Sequence, residues 1–153
     1  YSNVARLWRW TIDLDAGTVL EDQIDDRPGD FGRVNDSRVG LNARYGYLMS
    51  LAGEGNSEEP VYGPQLFKYD LRDGSRATHE LGTNVRGGEP VFVPGGAGED
   101  EGWVMTICHD EVSGQSRFVI VDAQNFNAPP VATIHLPYRV PYGAHGSWIP
   151  LQD

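Results

Sequence analysis

The chain has 153 residues and a net charge of −10, from 12 Lys and Arg against 22 Asp and Glu. That length bounds it to a single domain or part of one, and an acidic balance without a basic cluster argues against nucleic-acid binding. The single cysteine, Cys108, excludes an intrachain disulfide and fits a reducing compartment; no apolar run approaches the roughly 20 residues of a transmembrane segment. Tyr1 stands where an initiator Met would, and strand-like sequence begins at once, so the chain reads as a piece of a longer protein.

With 19 Gly, 10 Pro and few helical periods, the chain reads as all-β. In Leu7-Trp-Arg-Trp-Thr-Ile-Asp-Leu14, Trp8, Trp10, Ile12 and Leu14 fall on one face and Arg9, Thr11 and Asp13 on the other, which predicts a half-buried strand. Residues 21–38 are polar and punctuated by Gly and Pro, and read as loop. Further strands are expected at Arg44–Leu51, Gln65–Asp70, Pro90–Val93, Trp103–Cys108, Arg117–Asp122 and Val131–Leu136. The run Phe118-Val-Ile-Val121 is apolar on both faces, so it is expected to be sandwiched between layers. Residues 53–60 and 95–102 read as acidic surface loops. No helix is expected.

A D-x-x-x-G unit recurs at Asp13–Gly17, Asp70–Gly74 and Asp110–Gly114, each between two strand candidates. The Asp side chain caps a turn and the Gly takes a positive φ in a tight hairpin. A repeated hairpin suggests propeller blades, although the uneven spacing also suits a β-sandwich.

Of the four histidines, His79, His109 and His135 lie in or beside strands and read as solvent-facing or hairpin-capping residues. No pair has the spacing of a local metal site. His145 differs. It lies in Tyr-Arg-Val-Pro-Tyr-Gly-Ala-His-Gly-Ser-Trp, with no charged neighbour closer than Arg139, so its imidazole is expected to meet something the fold brings to it. The Gly-rich segment Gly95–Gly102 lacks Lys and carries three carboxylates, so it is a surface turn rather than a phosphate cradle; calcium binding by Glu99, Asp100 and Glu101 matches no known spacing. Glu89 is the one charge at the head of the apolar strand Pro90–Val93. Such a residue is either exposed at the strand end or buried against a partner, and one such partner is the N–H of a metal-bound histidine.

Four segments occur here in a familiar order: Leu7–Leu14; Asp30-Phe-Gly-Arg-Val-Asn35 followed by Arg44-Tyr-Gly-Tyr47; Gly88-Glu-Pro-Val-Phe-Val-Pro94; and Val140-Pro-Tyr-Gly-Ala-His-Gly146. In this the chain resembles the carotenoid oxygenases, a family that includes carotenoid, apocarotenoid and lignostilbene cleavage dioxygenases and the retinoid isomerase of the visual cycle. The resemblance implies an all-β fold made of the C-terminal blades of a seven-bladed β-propeller, with residues 1–153 part of one catalytic domain. It implies Fe(2+) on the propeller axis, held by four histidines from different blades, of which His145 matches the last. Glu89 and Asp30 match carboxylates that brace such histidines. Asp30-Phe-Gly-Arg33 stands where the family usually has Glu-Phe-Pro-Arg, so Asp30 is one methylene shorter. Ala144 stands where an aromatic residue is common, and with Tyr142 is expected to line the substrate tunnel.

The implied partners are an apolar conjugated small molecule, O2 and the remaining blades of the same protein. The implied location is cytoplasmic, with peripheral membrane contact open for the full-length protein. Two other readings stand beside this one: a non-catalytic β-rich interaction module and an inactive truncated remnant. The isolated chain is expected to be inactive, because His79, His109 and His135 match no ligand position.

Overall fold

A computed structural model describes residues 4–52 and 61–151; the acidic loop expected at 53–60 lies outside them. Ten strands run β1 (Arg6–Asp13), β2 (Thr18–Arg33), β3 (Tyr45–Leu51), β4 (Tyr62–Asp70), β5 (Arg76–Glu80), β6 (Val85–Arg86), β7 (Val91–Pro94), β8 (Gly102–Asp110), β9 (Ser116–Asp122) and β10 (Ala132–His135). A 3-10 turn at Asp36–Arg38 is the one helical element among the described residues, and none of them forms a helix long and apolar enough to cross a membrane. Strands β1 to β5 form one antiparallel meander. In the second sheet β8 pairs with β9 and β9 with β10, while β6 and β7 both pair with β8 at different points along its length.

The three D-x-x-x-G units are the hairpin turns that the spacing predicts. Gly17, Gly74 and Gly114 have φ of 65°, 75° and 69°. At the third turn Asp110 Oδ1 accepts from Val112 and Ser113 N–H, and Gly114 N–H returns to the Asp110 carbonyl. An L side chain is strained in this left-handed conformation, whereas Gly adopts it freely.

One core lies between the two sheets. Tyr47, Met49 and Leu66 meet Phe92, Val104, Val119 and Val121 there, and the Tyr47 and Phe92 rings stack at 5.5 Å. Strand alternation sends Leu48, Phe67 and Tyr69 to the opposite face of the first sheet, where Leu7, Ile24 and Leu71 cover them. Asp25 of β2 reaches over this face, accepting from the Tyr69 hydroxyl at 2.9 Å and pairing with Arg76. In β9, Val119 and Val121 are buried while Phe118 and Ile120 are half-buried, so only one face of that run is core.

Two further expectations need correction. Residues 21–33 are not loop but most of β2, a 16-residue strand. Its polar residues signal a loop, yet its backbone ladder pairs with β1 through 18–23 and with β3 through 29–33. Ladder bonds are indifferent to side-chain polarity, and exposed strand faces tolerate charge. The face of Trp8, Trp10, Ile12 and Leu14 is not half-buried either: Trp10 is 58% and Leu14 89% exposed. The alternation is real, but the face opens to solvent progressively from Trp8 to Leu14.

Candidate metal centre

Between β6 and β7 the chain leaves the ladder for four residues, Gly87 to Pro90. Thr106 of β8 fills the gap, donating to the Gly88 carbonyl at 2.9 Å and accepting from Gly88 N–H at 3.2 Å. A Cβ on Gly88 would lie 2.9 Å from the Ile107 carbonyl oxygen, so this close approach needs glycine. The break turns the next side chain, Glu89, out of the sheet alternation and toward the C-terminal segment.

That segment, residues 136–151, has no regular structure and is pinned by side chains. Val140 N–H donates to Ser116 Oγ at 2.9 Å, and Arg139 Nε lies 3.3 Å from His109 Nε2. Arg can only donate, so His109 Nε2 is the acceptor in this contact. Tyr142 packs edge-on against both His109 and Tyr62.

Glu89 is buried, its side chain 6% exposed, whereas that of His145 is 76% exposed. The carboxylate accepts from Gly146 N–H at 2.6 Å through Oε2, and faces His145 Nδ1 at 3.1 Å and Arg33 Nη1 at 3.3 Å through Oε1. A carboxylate only accepts, so Nδ1 is the donor in this contact and Nε2, on the far side of the ring, points away from Glu89. Nε2 has no hydrogen-bond partner among the described residues. An imidazole with one nitrogen braced by a buried carboxylate and the other presented outward is the form in which histidine binds a metal. The donor set therefore fits one ligand. No group of three or more His, Cys, Asp or Glu able to hold a metal occurs among the described residues.

The remaining expected site residues fall as follows. Asp30 is exposed and its Oδ1 accepts from Phe31 N–H at 2.7 Å, touching no histidine among the described residues. Ala144 and Tyr142 line a groove of about 280 Å³ that also takes in His145, with Tyr62, Ile107 and Phe118 on its walls. His79 and His109 are not solvent-facing: they are 3% and 8% exposed, His79 Nδ1 meeting the Phe126 carbonyl. Both sit on inward positions of strands that the sequence pattern leaves ambiguous. His135 is exposed.

The acids of the 95–102 turn fold back on the protein: Glu99 accepts from Tyr45 N–H at 2.9 Å and Asp100 pairs with Lys68 at 2.6 Å. They tie the two sheets together, as a cation site would not. Arg33 and Phe31 belong to the site yet were not singled out from the sequence. Both lie inside the segment that carries Asp30, and that adjacency was the available signal.

The model of the retinal pigment epithelial membrane protein family matches residues 1–150, and the chain belongs to that family. It is 37% identical to apocarotenoid-15,15'-oxygenase of Synechocystis over 94% of its own length and 29% of that protein's. With a probable chloroplastic carotenoid cleavage dioxygenase 4 of Arabidopsis thaliana it shares 38% identity, over 93% of this chain and 24% of the relative. Among solved structures, cobalt-substituted Synechocystis apocarotenoid oxygenase superposes with a TM-score of 0.85 at 34% identity, covering 94% of this chain and 30% of that one. The chain thus spans under a third of the length of these relatives, and corresponds to their C-terminal part. Its sheets are blades of a β-propeller.

Proposed function

We propose that this chain is the C-terminal part of a single-domain, non-haem iron dioxygenase that cleaves a conjugated C=C bond of a carotenoid, apocarotenoid or stilbenoid. The observation that carries the reading is the Glu89–His145 pair. Its Nδ1–H is committed to a buried carboxylate, and the histidine lines an apolar groove. Fe(II), held by His145 and by histidines from the remaining blades, supplies the redox chemistry through which O2 and an alkene become two carbonyl compounds. Glu89 fixes the tautomer of His145 and its ring direction. Tyr62, Ile107, Phe118 and Tyr142 give the substrate an apolar wall and keep water from it. Ala144 leaves room beside His145, and Asp30, one methylene short, stands ready to brace a histidine from another blade. A single buried thiol, Cys108, supports a reducing, cytoplasmic setting.

The test is His145→Ala in the full-length protein, with iron measured by elemental analysis and products by chromatography. Loss of both iron and cleavage is expected, since removing one ligand of four opens the site. Stoichiometric iron with normal turnover would sink the assignment.

A further inference from the structure

Strand β2 carries one residue too many near its end. Asp30 lies opposite Met49 and Arg33 opposite Tyr47, although a regular ladder would set Arg33 against Gly46. The extra residue is a bulge, and it reverses the alternation. Asp30 and Arg33, three apart, would face opposite sides of a regular strand, yet both lie opposite residues of the inter-sheet core. The bulge contains Phe31, whose φ of 56° is the one positive value on a non-glycine among the described residues. Such a conformation is strained for a residue with a side chain and persists only where surrounding contacts impose it.

Those contacts converge on the histidine. The Phe31 ring meets His145 edge-on at 5.7 Å and Tyr62 at 5.8 Å. Arg33 Nη1 donates to the Gly146 carbonyl at 3.0 Å and faces Glu89 Oε1 at 3.3 Å, while Nη2 faces Asp36 at 3.4 Å. One guanidinium thus ties together the carboxylate that braces His145 and the backbone that follows it. Without that tie, the only hydrogen bonds holding residues 145–146 among the described residues would be those to Glu89.

We propose that Arg33 is a positioning residue for His145. Its guanidinium locks the Glu89 carboxylate and the 145–146 backbone in one geometry, so that Nε2 is aimed before a metal arrives. This rests on the reading of His145 as a ligand.

The test uses the full-length protein with cobalt(II) as the probe, in the wild type and in Arg33→Met, Arg33→Lys, Arg33→Gln and His145→Ala. Affinity is measured by titration, ligand geometry by the visible absorption of bound cobalt, and folding by thermal unfolding of the metal-free form. Arg33→Met is expected to weaken cobalt binding about 10-fold or more and to alter the absorption band, with unfolding little changed. Arg33→Lys, which keeps charge and a donor, is expected to recover most of the affinity.

Cobalt affinity and absorption unchanged in Arg33→Met, with His145→Ala unable to bind, would overturn the positioning role and leave the ligand reading intact. Weaker binding with an unchanged band would overturn it too, because the geometry of the bound ligand would then not depend on Arg33. Wild-type cobalt binding by His145→Ala would instead remove the ligand reading itself. Should Arg33→Met fail to fold, the comparison of Arg33→Lys with Arg33→Gln decides: the lysine variant is expected to bind more tightly, and two wild-type affinities would overturn the proposal.

Discussion

At the scale of single residues, the site depends on a charge that the sheet would ordinarily not bury. Glu89 is 6% exposed on its side chain and is tolerated because Gly146 N–H, His145 and Arg33 surround it. Its value lies in being an acceptor only. Glu89→Gln places an amide where a carboxylate stood, with one end now a donor. That amide can no longer accept from Gly146, His145 and Arg33 together. The expected outcome is a folded protein with activity cut by about 10–100-fold and iron bound more weakly, read from turnover and metal titration of the full-length enzyme. An unchanged rate and affinity would show that the pair is a surface contact. Cys108, by contrast, has no chemistry to offer: it is fully buried, and burial pushes its thiol up to about 12, partly offset by Arg117.

At the scale of elements, the long β1–β2 hairpin is held over the first sheet by the apolar contacts of Leu7 and Ile24 and by one carboxylate, Asp25. Burial works to raise the Asp25 pKa, but hydrogen bonds from Arg27 N–H, the Tyr69 hydroxyl and Arg76 outweigh it and hold the carboxyl below its usual 3.8. A group lowered on folding contributes stability that is complete above its unfolded pKa and is lost as pH falls through the lowered folded value. Asp25→Asn is therefore expected to destabilise the protein by about 1–2 kcal/mol at neutral pH. The difference from wild type should shrink once the medium is acid enough to protonate Asp25 itself. Urea unfolding at neutral and at strongly acid pH measures this. An equal offset at both would mean that Asp25 contributes through packing rather than charge.

At the scale of the molecule, two sheets share one core but leave other apolar surface open. Trp10, Ile12 and Val19 are more than half exposed on the β1–β2 hairpin, and β1 and β10 are outer strands of their sheets. In our reading the remaining blades cover this surface and supply the missing ligands. Expressed alone, the 153 residues are expected to associate through open edges and apolar faces and to hold no tight iron, since one imidazole cannot retain Fe(II) against water. Light scattering and elemental analysis check both. A monodisperse monomer with one tightly bound iron would overturn the view of the chain as a part.

Much of this was legible in the residues. Short apolar runs bounded by turn residues placed seven strands, and in the first of them an alternation of period two marked the strand even though its apolar face is open. Asp and Gly at fixed spacing gave three hairpin turns, because those side chains satisfy turn geometry locally. His145 and Glu89 stood out as misfits in apolar surroundings, and a resemblance of ordered segments supplied the family. What lay hidden depended on contacts between residues distant in sequence. Strand β2 was invisible because its pairing is made by backbone, which side-chain polarity does not report. His79 and His109 were misplaced because the burial of a histidine is decided by what packs on it. Arg33 joined the site only through a bulge, a one-residue shift in register that reverses every side chain beyond it and that no local pattern of residues announces.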